Sequence, residues 1–141
     1  MLKLTPRGNS RQLALRGIYC YIINPTSISE VELYIDYFIP DQYKKSDLKF
    51  LQFLLEHSIK QFDLMLSQYK DFSDRDISTI NTIEKIILVI AAVELIETPN
   101  IDSAIIINEA INLSKVFATD KSYKFINTLV DKLSKKIRGV N

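Results

Sequence analysis

"INTIEKIILVIAAVELIE", residues 80–97, is apolar around nearly its whole circumference when it is placed on a helix. Its longest unbroken apolar run, residues 86–93, is far shorter than the roughly 18 residues that indicate a membrane span. A helix that is hydrophobic on all sides and too short for a bilayer belongs in the interior of a protein. We therefore expect this segment to be the central helix, against which the others pack.

The segments on either side show the apolar spacing of amphipathic helices. Asn9 with Gln12 resembles a capping box for the first of them, and Tyr34 and Phe38 are expected to face inward on the second. The last helix is expected to be capped by Thr119 or Asp120. The helices predicted beside the central one cover residues 10–23, 29–39, 46–69, 103–117 and a segment after residue 120.

The composition agrees with an all-α protein. Only three glycines and four prolines interrupt the 141 residues, which favours helices over turn-rich β architectures. At 47% hydrophobic and 25% charged residues, the chain is expected to fold. We predict a single globular domain, residues 1–141, of about six to seven helices. Because the first residues lack the apolar core of a signal peptide, we expect a cytoplasmic protein that does not bind membranes.

Charge is segregated along the chain, although the net charge is only +1. Residues 1–29 contain four cations and no acid, and residues 121–141 contain six cations against Asp131. The segment between them therefore carries a net charge of −8. If both ends fold to one side, they form a basic surface suited to a polyanion, whereas solvated and frayed termini would explain the same pattern.

Phe125, in "DKSYKFINTLVDKL" (residues 120–133), is not needed for the core face of its helix. That face is supplied by a stripe at helical spacing, consisting of Ile126, Leu129, Val130, Leu133 and Ile137. Phe125 projects roughly 100° from this stripe, on a side that also carries lysines. An aromatic ring flanked by cations suits single-stranded RNA, since cations hold the backbone while the ring stacks a base. The alternative is that Phe125 only widens the core stripe.

Arg7 and Arg11 lie before and within the first turn of the first predicted helix. Cations at a helix N-terminus oppose the helix dipole, at a cost of about 0.3–1 kcal/mol. The placement is favourable if an anion lies nearby, bound by the arginines and by the free amides of the helix.

Signals for catalysis or metal binding are weak. His57 has no second metal ligand at helical spacing, and it is expected to be exposed or half-buried. Cys20, the single cysteine, excludes an intramolecular disulfide and a cysteine-based zinc site, and it is expected to pack as a small apolar residue. The glycines do not form a phosphate-binding loop. We therefore expect no enzyme, no cofactor and no metal.

Four segments carry a resemblance to a known family. "RQLALRGIYCY" (11–21), "IEKIILVIAAVEL" (83–95), "INEAINLSKVF" (107–117) and "DKSYKFINTLVDKL" (120–133) occur in the order found in the NusB family of bacterial transcription antitermination factors. Residues 25–70 match this family only in helical pattern. The resemblance implies an all-helical fold of two packed three-helix halves. It also implies a factor that pairs with the small-subunit ribosomal protein NusE, binds boxA RNA of ribosomal RNA operons, and makes elongating RNA polymerase resistant to termination.

The resemblance also implies site residues, carried over by position. Those matching family positions on the RNA side are Arg7, Arg11, Lys121, Lys124, Phe125 and Asn127. Those matching positions near the RNA or the partner protein are Tyr19, Tyr69 and Glu84. The sequence departs from the family pattern at Lys121, Tyr123, Thr128 and Val89, where relatives often have aspartate, histidine, glycine and arginine. Base preference is therefore open, because an acid lost at position 121 removes any base-edge contact it made.

Two alternatives keep the helical fold but change the role. In the first, the chain is a non-catalytic adaptor whose acidic middle docks a basic ribosomal protein, and its RNA contact is incidental. In the second, it corresponds to the N-terminal domain of a ribosomal RNA cytosine methyltransferase, although no methyl-donor domain follows within these 141 residues. The sequence does not decide whether the free protein is a monomer or a homodimer.

Overall fold

The computed structural model describes residues 4–139, so Lys3 of the basic N-terminal segment lies outside the described residues. The helices in this range are α1 (Pro6–Ile23), α2 (Ile28–Phe38), α3 (Pro40–Lys44), α4 (Leu48–Lys60), α5 (Phe62–Ser67), α6 (Thr82–Glu97), α7 (Ser103–Phe117) and α8 (Ser122–Arg138), with a 3-10 turn, Ile77–Thr79, before α6. The predicted all-α fold is confirmed. Within residues 4–139, no helix combines the length and the hydrophobicity that crossing a bilayer requires.

The chain divides into two compact units, the first ending at Lys60 and the second beginning at Gln61. The single helix predicted over residues 46–69 is wrong, because it is interrupted at Gln61, where the backbone has φ −119° and ψ 26°. The apolar spacing continues on both sides of this residue, so periodicity does not show the break. That the two units act as one domain over residues 1–141 stays a prediction.

The start of α1 differs from the prediction. The side chain of Thr5 accepts a hydrogen bond from the Gly8 amide at 2.9 Å, and Pro6 occupies the first helical position. Asn9, the predicted cap, instead lies inside the helix and is buried. A Thr-Pro pair begins a helix well, because the hydroxyl satisfies one free amide and proline lacks another.

Ser10 joins α1 to the start of α4. Its hydroxyl donates to the Asp47 carbonyl at 2.7 Å and accepts from the Asp47 amide at 2.9 Å. The Asp47 carboxylate in turn accepts a hydrogen bond from the Phe50 amide at 3.1 Å and so caps α4. These bonds hold the first turns of α1 and α4 side by side.

Gly17 lies where α1 packs closely against α2 and α4. A Cβ atom added there would lie 2.8 Å from Val31 Cγ1 on α2 and 3.0 Å from Leu55 Cδ2 on α4. Non-bonded carbon atoms rarely approach so closely, so the glycine lets α1, α2 and α4 pack together.

Two expectations for the first unit are wrong. Val31 and Ile35 of α2 are buried, but Tyr34 and Phe38 are 49% and 70% exposed. The buried side of α2 is therefore a single ridge of residues four apart, narrower than the predicted stripe. Cys20, expected to pack in the core, is exposed on α1.

In the second unit α5, α7 and α8 pack against α6, which is buried from Ile86 to Leu95. The predicted central role of this helix is confirmed. Its start is fixed by a capping box, in which the side chains of Asn81 and Glu84 each accept a backbone amide hydrogen bond. At its other end, Nη2 of Arg138 donates to the carbonyls of Thr98 at 2.9 Å and Leu95 at 3.1 Å.

The predicted caps of α8 are wrong. The Thr119 hydroxyl lies 3.1 Å from the Ser122 hydroxyl, and no side chain caps the first amides of the helix, where Lys121 occupies the capping position. The core stripe is confirmed at Ile126, Leu129, Val130 and Leu133, whereas Ile137 is 37% exposed.

We expect Gly17→Ala to destabilise the protein by about 1–2 kcal/mol. The added methyl group costs about 1–3 kcal/mol through overpacking, and alanine's better helix propensity offsets up to about 1 kcal/mol of this. Urea denaturation would measure the change. Cys20→Ala, on an exposed face of the same helix, is the control and should stay within about 0.5 kcal/mol of the parent chain. Equal stability of the two variants would contradict the close packing at Gly17.

Candidate nucleic-acid interface

Arg7 and Arg11 both stack on Phe50 of α4. The guanidinium carbon of Arg7 lies 4.6 Å from the ring centroid, and that of Arg11 lies 5.1 Å from it. The two arginines are one helical turn apart, so they project from the same side of α1. The side chain of Arg7 is 50% exposed, whereas Arg11 is only 4% exposed. Of this pair, Arg7 presents the accessible positive charge.

The anion expected near the start of α1 is present within the chain itself. Arg7 Nε lies 3.6 Å from Asp47 Oδ2. Because α1 begins at Pro6, Arg7 is its second residue, closer to the positive end of the helix dipole than predicted. Asp47 offsets part of this unfavourable charge, so the placement of Arg7 alone does not demand an external anion.

The first turns of α8 carry the other predicted contacts. Lys121, Lys124 and Asn127 are exposed, and Phe125 is half-buried. Because the amides at the start of α8 have no side-chain cap, they add to the positive potential of Lys121 and Lys124. This end of α8 therefore combines cations, helix amides without a side-chain cap and part of an aromatic ring.

Arg75 covers a face of Phe125. Its guanidinium carbon lies 4.7 Å from the ring centroid, and its Nη2 lies 3.9 Å from Glu84 Oε1. The Glu84 side chain is 5% exposed and also takes part in the capping box of α6. Phe125 and Glu84, predicted separately, are thus linked through one guanidinium group. The ring of Phe125, which lysines flank, is thus the aromatic partner of Arg75 in a cation–π pair.

Sequence reasoning missed Arg75. It lies in the polar connection before α6, where no periodic pattern indicates which side chain turns toward the core. Arginine among the acids of "DFSDRD" (71–76) is the only sequence signal, and it does not identify Phe125 as the partner.

The two tyrosines carried over by position have different surroundings. Tyr19 is 40% exposed on α1 and is accessible to a partner. Tyr69 is fully buried, and its hydroxyl donates to the Leu88 carbonyl of α6 at 2.6 Å. Burial raises the pKa of the Tyr69 hydroxyl. Its surroundings therefore give Tyr69 a packing role, with no surface available for contact with RNA or a partner.

The candidate residues fall into two groups. Arg7, Arg11 and Tyr19 belong to the first unit, and the residues of α8 belong to the second with Arg75 and Glu84. Among residues 4–139, no three side chains of histidine, cysteine, aspartate or glutamate are arranged to hold a metal ion. His57 is half-buried, as predicted, with its ring 4.6 Å from that of Phe53.

A model of the NusB family matches residues 8–135. The chain belongs to the NusB family. Among its relatives, the transcription antitermination protein NusB of Actinobacillus pleuropneumoniae is 32% identical, covering 94% of this chain and 96% of the relative. That of Colwellia psychrerythraea is 30% identical over 97% and 98% of the two chains. The structure of T. maritima NusB superposes with a TM-score of 0.78 over 95% and 94% of the two chains, at 18% identity, and so supports the NusB fold.

We expect Tyr69→Phe to lower the free energy of unfolding by about 1 kcal/mol, because a buried hydrogen bond to Leu88 is lost while the ring still fills its site. Chemical denaturation would measure this change. Tyr37→Phe is the control, since Tyr37 is 78% exposed. A Tyr69→Phe variant with unchanged stability but weakened RNA binding would instead make Tyr69 a contact residue.

Proposed function

We propose that this chain is a non-catalytic transcription antitermination factor. It pairs with the small-subunit ribosomal protein NusE and binds boxA RNA of ribosomal RNA operons. In doing so it makes elongating RNA polymerase resistant to termination. The family supports antitermination, and the observation that carries RNA binding is the half-buried ring of Phe125 under Arg75, with exposed Lys121 and Lys124 beside it on α8. Bacterial transcription is cytoplasmic, so the proposal assigns the chain to that compartment.

Phe125 is proposed to stack a base. A base–aromatic contact is worth about 1–3 kcal/mol and tolerates any base, since every base has a π face. Lys121, Lys124 and the helix amides at the start of α8, which have no side-chain cap, would attract the adjoining phosphates. Asn127, exposed on the same helix, can donate and accept hydrogen bonds at a base edge.

Arg7 is proposed as the phosphate contact of the first unit, because it is half-exposed and its orientation is fixed by Phe50. Arg11 stacks on the same ring but is only 4% exposed. It would act by holding the Phe50 ring, and with it Arg7, in place. Glu84 is proposed to act through Arg75, since its carboxylate is buried in the capping box. The exposed Tyr19 is the candidate contact for NusE.

We expect Phe125→Ala to weaken binding of a short boxA RNA by about 1–3 kcal/mol, because base stacking is lost. Fluorescence anisotropy with labelled RNA, with and without NusE, would measure it. Leu64→Ala is the matched control, since it removes an exposed apolar side chain from α5 of the same unit. A scrambled RNA tests sequence preference.

The same titrations separate the proposal from the adaptor alternative. Tighter binding of boxA RNA in the presence of NusE, and its loss in Phe125→Ala, support the antitermination role. If NusE binds while neither RNA does, the chain is an adaptor, and Phe125 serves only to pack against Arg75.

Arg75, which lies beside Phe125, is proposed as a further phosphate contact, so we expect Arg75→Gln to reduce the salt dependence of RNA binding. For single strands the slope of log K against log salt is about −0.7 per phosphate contacted, so losing one contact should change it by about 0.7. Lys70→Gln, which removes an exposed cation just after α5, is the control. An unchanged slope with weaker binding would mean that Arg75 orients the Phe125 ring without touching phosphate.

A further inference from the structure

The outer side of α2 exposes an unusual amount of apolar surface. Leu33, Tyr34, Tyr37 and Phe38 are 68%, 49%, 78% and 70% exposed, and we call these four residues the α2 aromatic face. Single exposed apolar side chains are common on protein surfaces, but a contiguous group of them marks an interaction site. RNA binding by Arg7 or by α8 makes no use of this face.

The aromatic rings of this face contact one another in the free protein. Tyr34 stacks on Phe38 with centroids 6.2 Å apart, and Tyr37 meets Phe38 edge-on at 4.9 Å. The four residues form two ridges of side chains four apart, Leu33 with Tyr37 and Tyr34 with Phe38. Between and beside the ridges lies an open groove of about 670 Å³. A helix packs well on such ridges, and rings that already contact one another lose little freedom when it binds.

The charge around this face is negative. All charged residues of α2 are acids, namely Glu30, Glu32 and Asp36. Glu30 and Asp36 line the groove, and Glu32 and Asp36 line a neighbouring cleft of about 310 Å³.

The hydroxyl of Tyr43, which lines that cleft, donates to Glu32 Oε2 at 3.0 Å. Burial, this hydrogen bond, and the charges of Glu32 and Asp36 raise the pKa of the Tyr43 hydroxyl. The nearest cations along the chain, Lys44 and Lys45, are not among the described residues that line either space.

We propose that the α2 aromatic face docks a basic amphipathic helix of a protein partner. Apolar side chains of that helix lie between the two ridges, and its lysines or arginines approach Glu30, Glu32 and Asp36. This inference goes beyond RNA binding and does not depend on it.

Charge argues against a second copy of this chain as the occupant. In a symmetric dimer the same patch meets itself, so the acids of one α2 would face those of the other. Like charges brought together across an interface cost free energy and select against that pairing. An RNA backbone is disfavoured by the same negative potential.

The test uses a fluorescein-labelled peptide of leucine and lysine at helical spacing, about 18 residues or five turns long. Its binding to the full chain is measured by anisotropy. We expect Tyr37→Ala combined with Phe38→Ala to weaken binding about tenfold or more, as loss of central aromatic anchors does. The matched control combines Ile105→Ala with Val116→Ala, which removes two exposed apolar side chains from α7 and should leave binding unchanged.

Charge is tested separately. Asp36→Lys should weaken the peptide about fivefold or more, whereas Asp63→Lys, at an exposed acid of α5, should not. A peptide with glutamate in place of lysine should not bind.

Equal binding to the Tyr37/Phe38 variant and to the α7 control would overturn the proposal. So would self-association, measured by sedimentation, that disappears in the Tyr37/Phe38 variant, since a second copy would then be the occupant. Adsorption to phosphatidylglycerol vesicles that depends on Tyr37 and Phe38 would overturn it in favour of a membrane.

Discussion

Burial of α6 on all of its faces determines where the other helices of the second unit can lie. Each leucine or isoleucine removed from water stabilises the fold by about 1.5–3 kcal/mol, and α6 buries five of them from Ile86 to Leu95. A helix with no polar side must be enclosed by partners, and α5, α7 and α8 supply them. Its ends are satisfied by the capping box and by Arg138, so few of its polar groups are left to solvent.

This enclosure also sets the geometry of the candidate RNA surface. The stripe Ile126, Leu129, Val130 and Leu133 must face the core, and this fixes the rotation of α8. Phe125 then has to lie at the edge, where Arg75 meets it. Glu84 lies in the first turn of α6 and pairs with Arg75, so the guanidinium is positioned by the same helix that organises the core. A packing requirement thereby produces a half-exposed ring beside cations.

Sequence patterns predicted the features that depend on hydrophobic periodicity and on strong stop signals. The central helix and α7, with bounds 103–117, were predicted well because each is long and strongly apolar and is bounded by clear breaks. The break at Gln61, the exposure of Phe38 and the contact of Arg75 with Phe125 could not be predicted, since each depends on which neighbour occupies the space beside it. The resemblance supplied Glu84 as a site residue, and its spacing from Asn81 fits a capping box, but its pairing with Arg75 could be found only in the structure.

The pairing of Arg75 with Phe125 is compatible with stacking, as the magnitudes show. A cation–π contact at an exposed site is worth about 0.5–1 kcal/mol, whereas a stacked base gives about 1–3 kcal/mol. A base that had to displace Arg75 from the ring would therefore still gain free energy, and the released guanidinium would be placed to meet a phosphate. A base that stacked on the part of the Phe125 ring that Arg75 leaves exposed would keep both the base–ring contact and the Arg75–ring contact. In the free protein, Arg75 covers a face of the Phe125 ring that would otherwise lie open to water, and under the proposed function the same residue would also take part in RNA recognition.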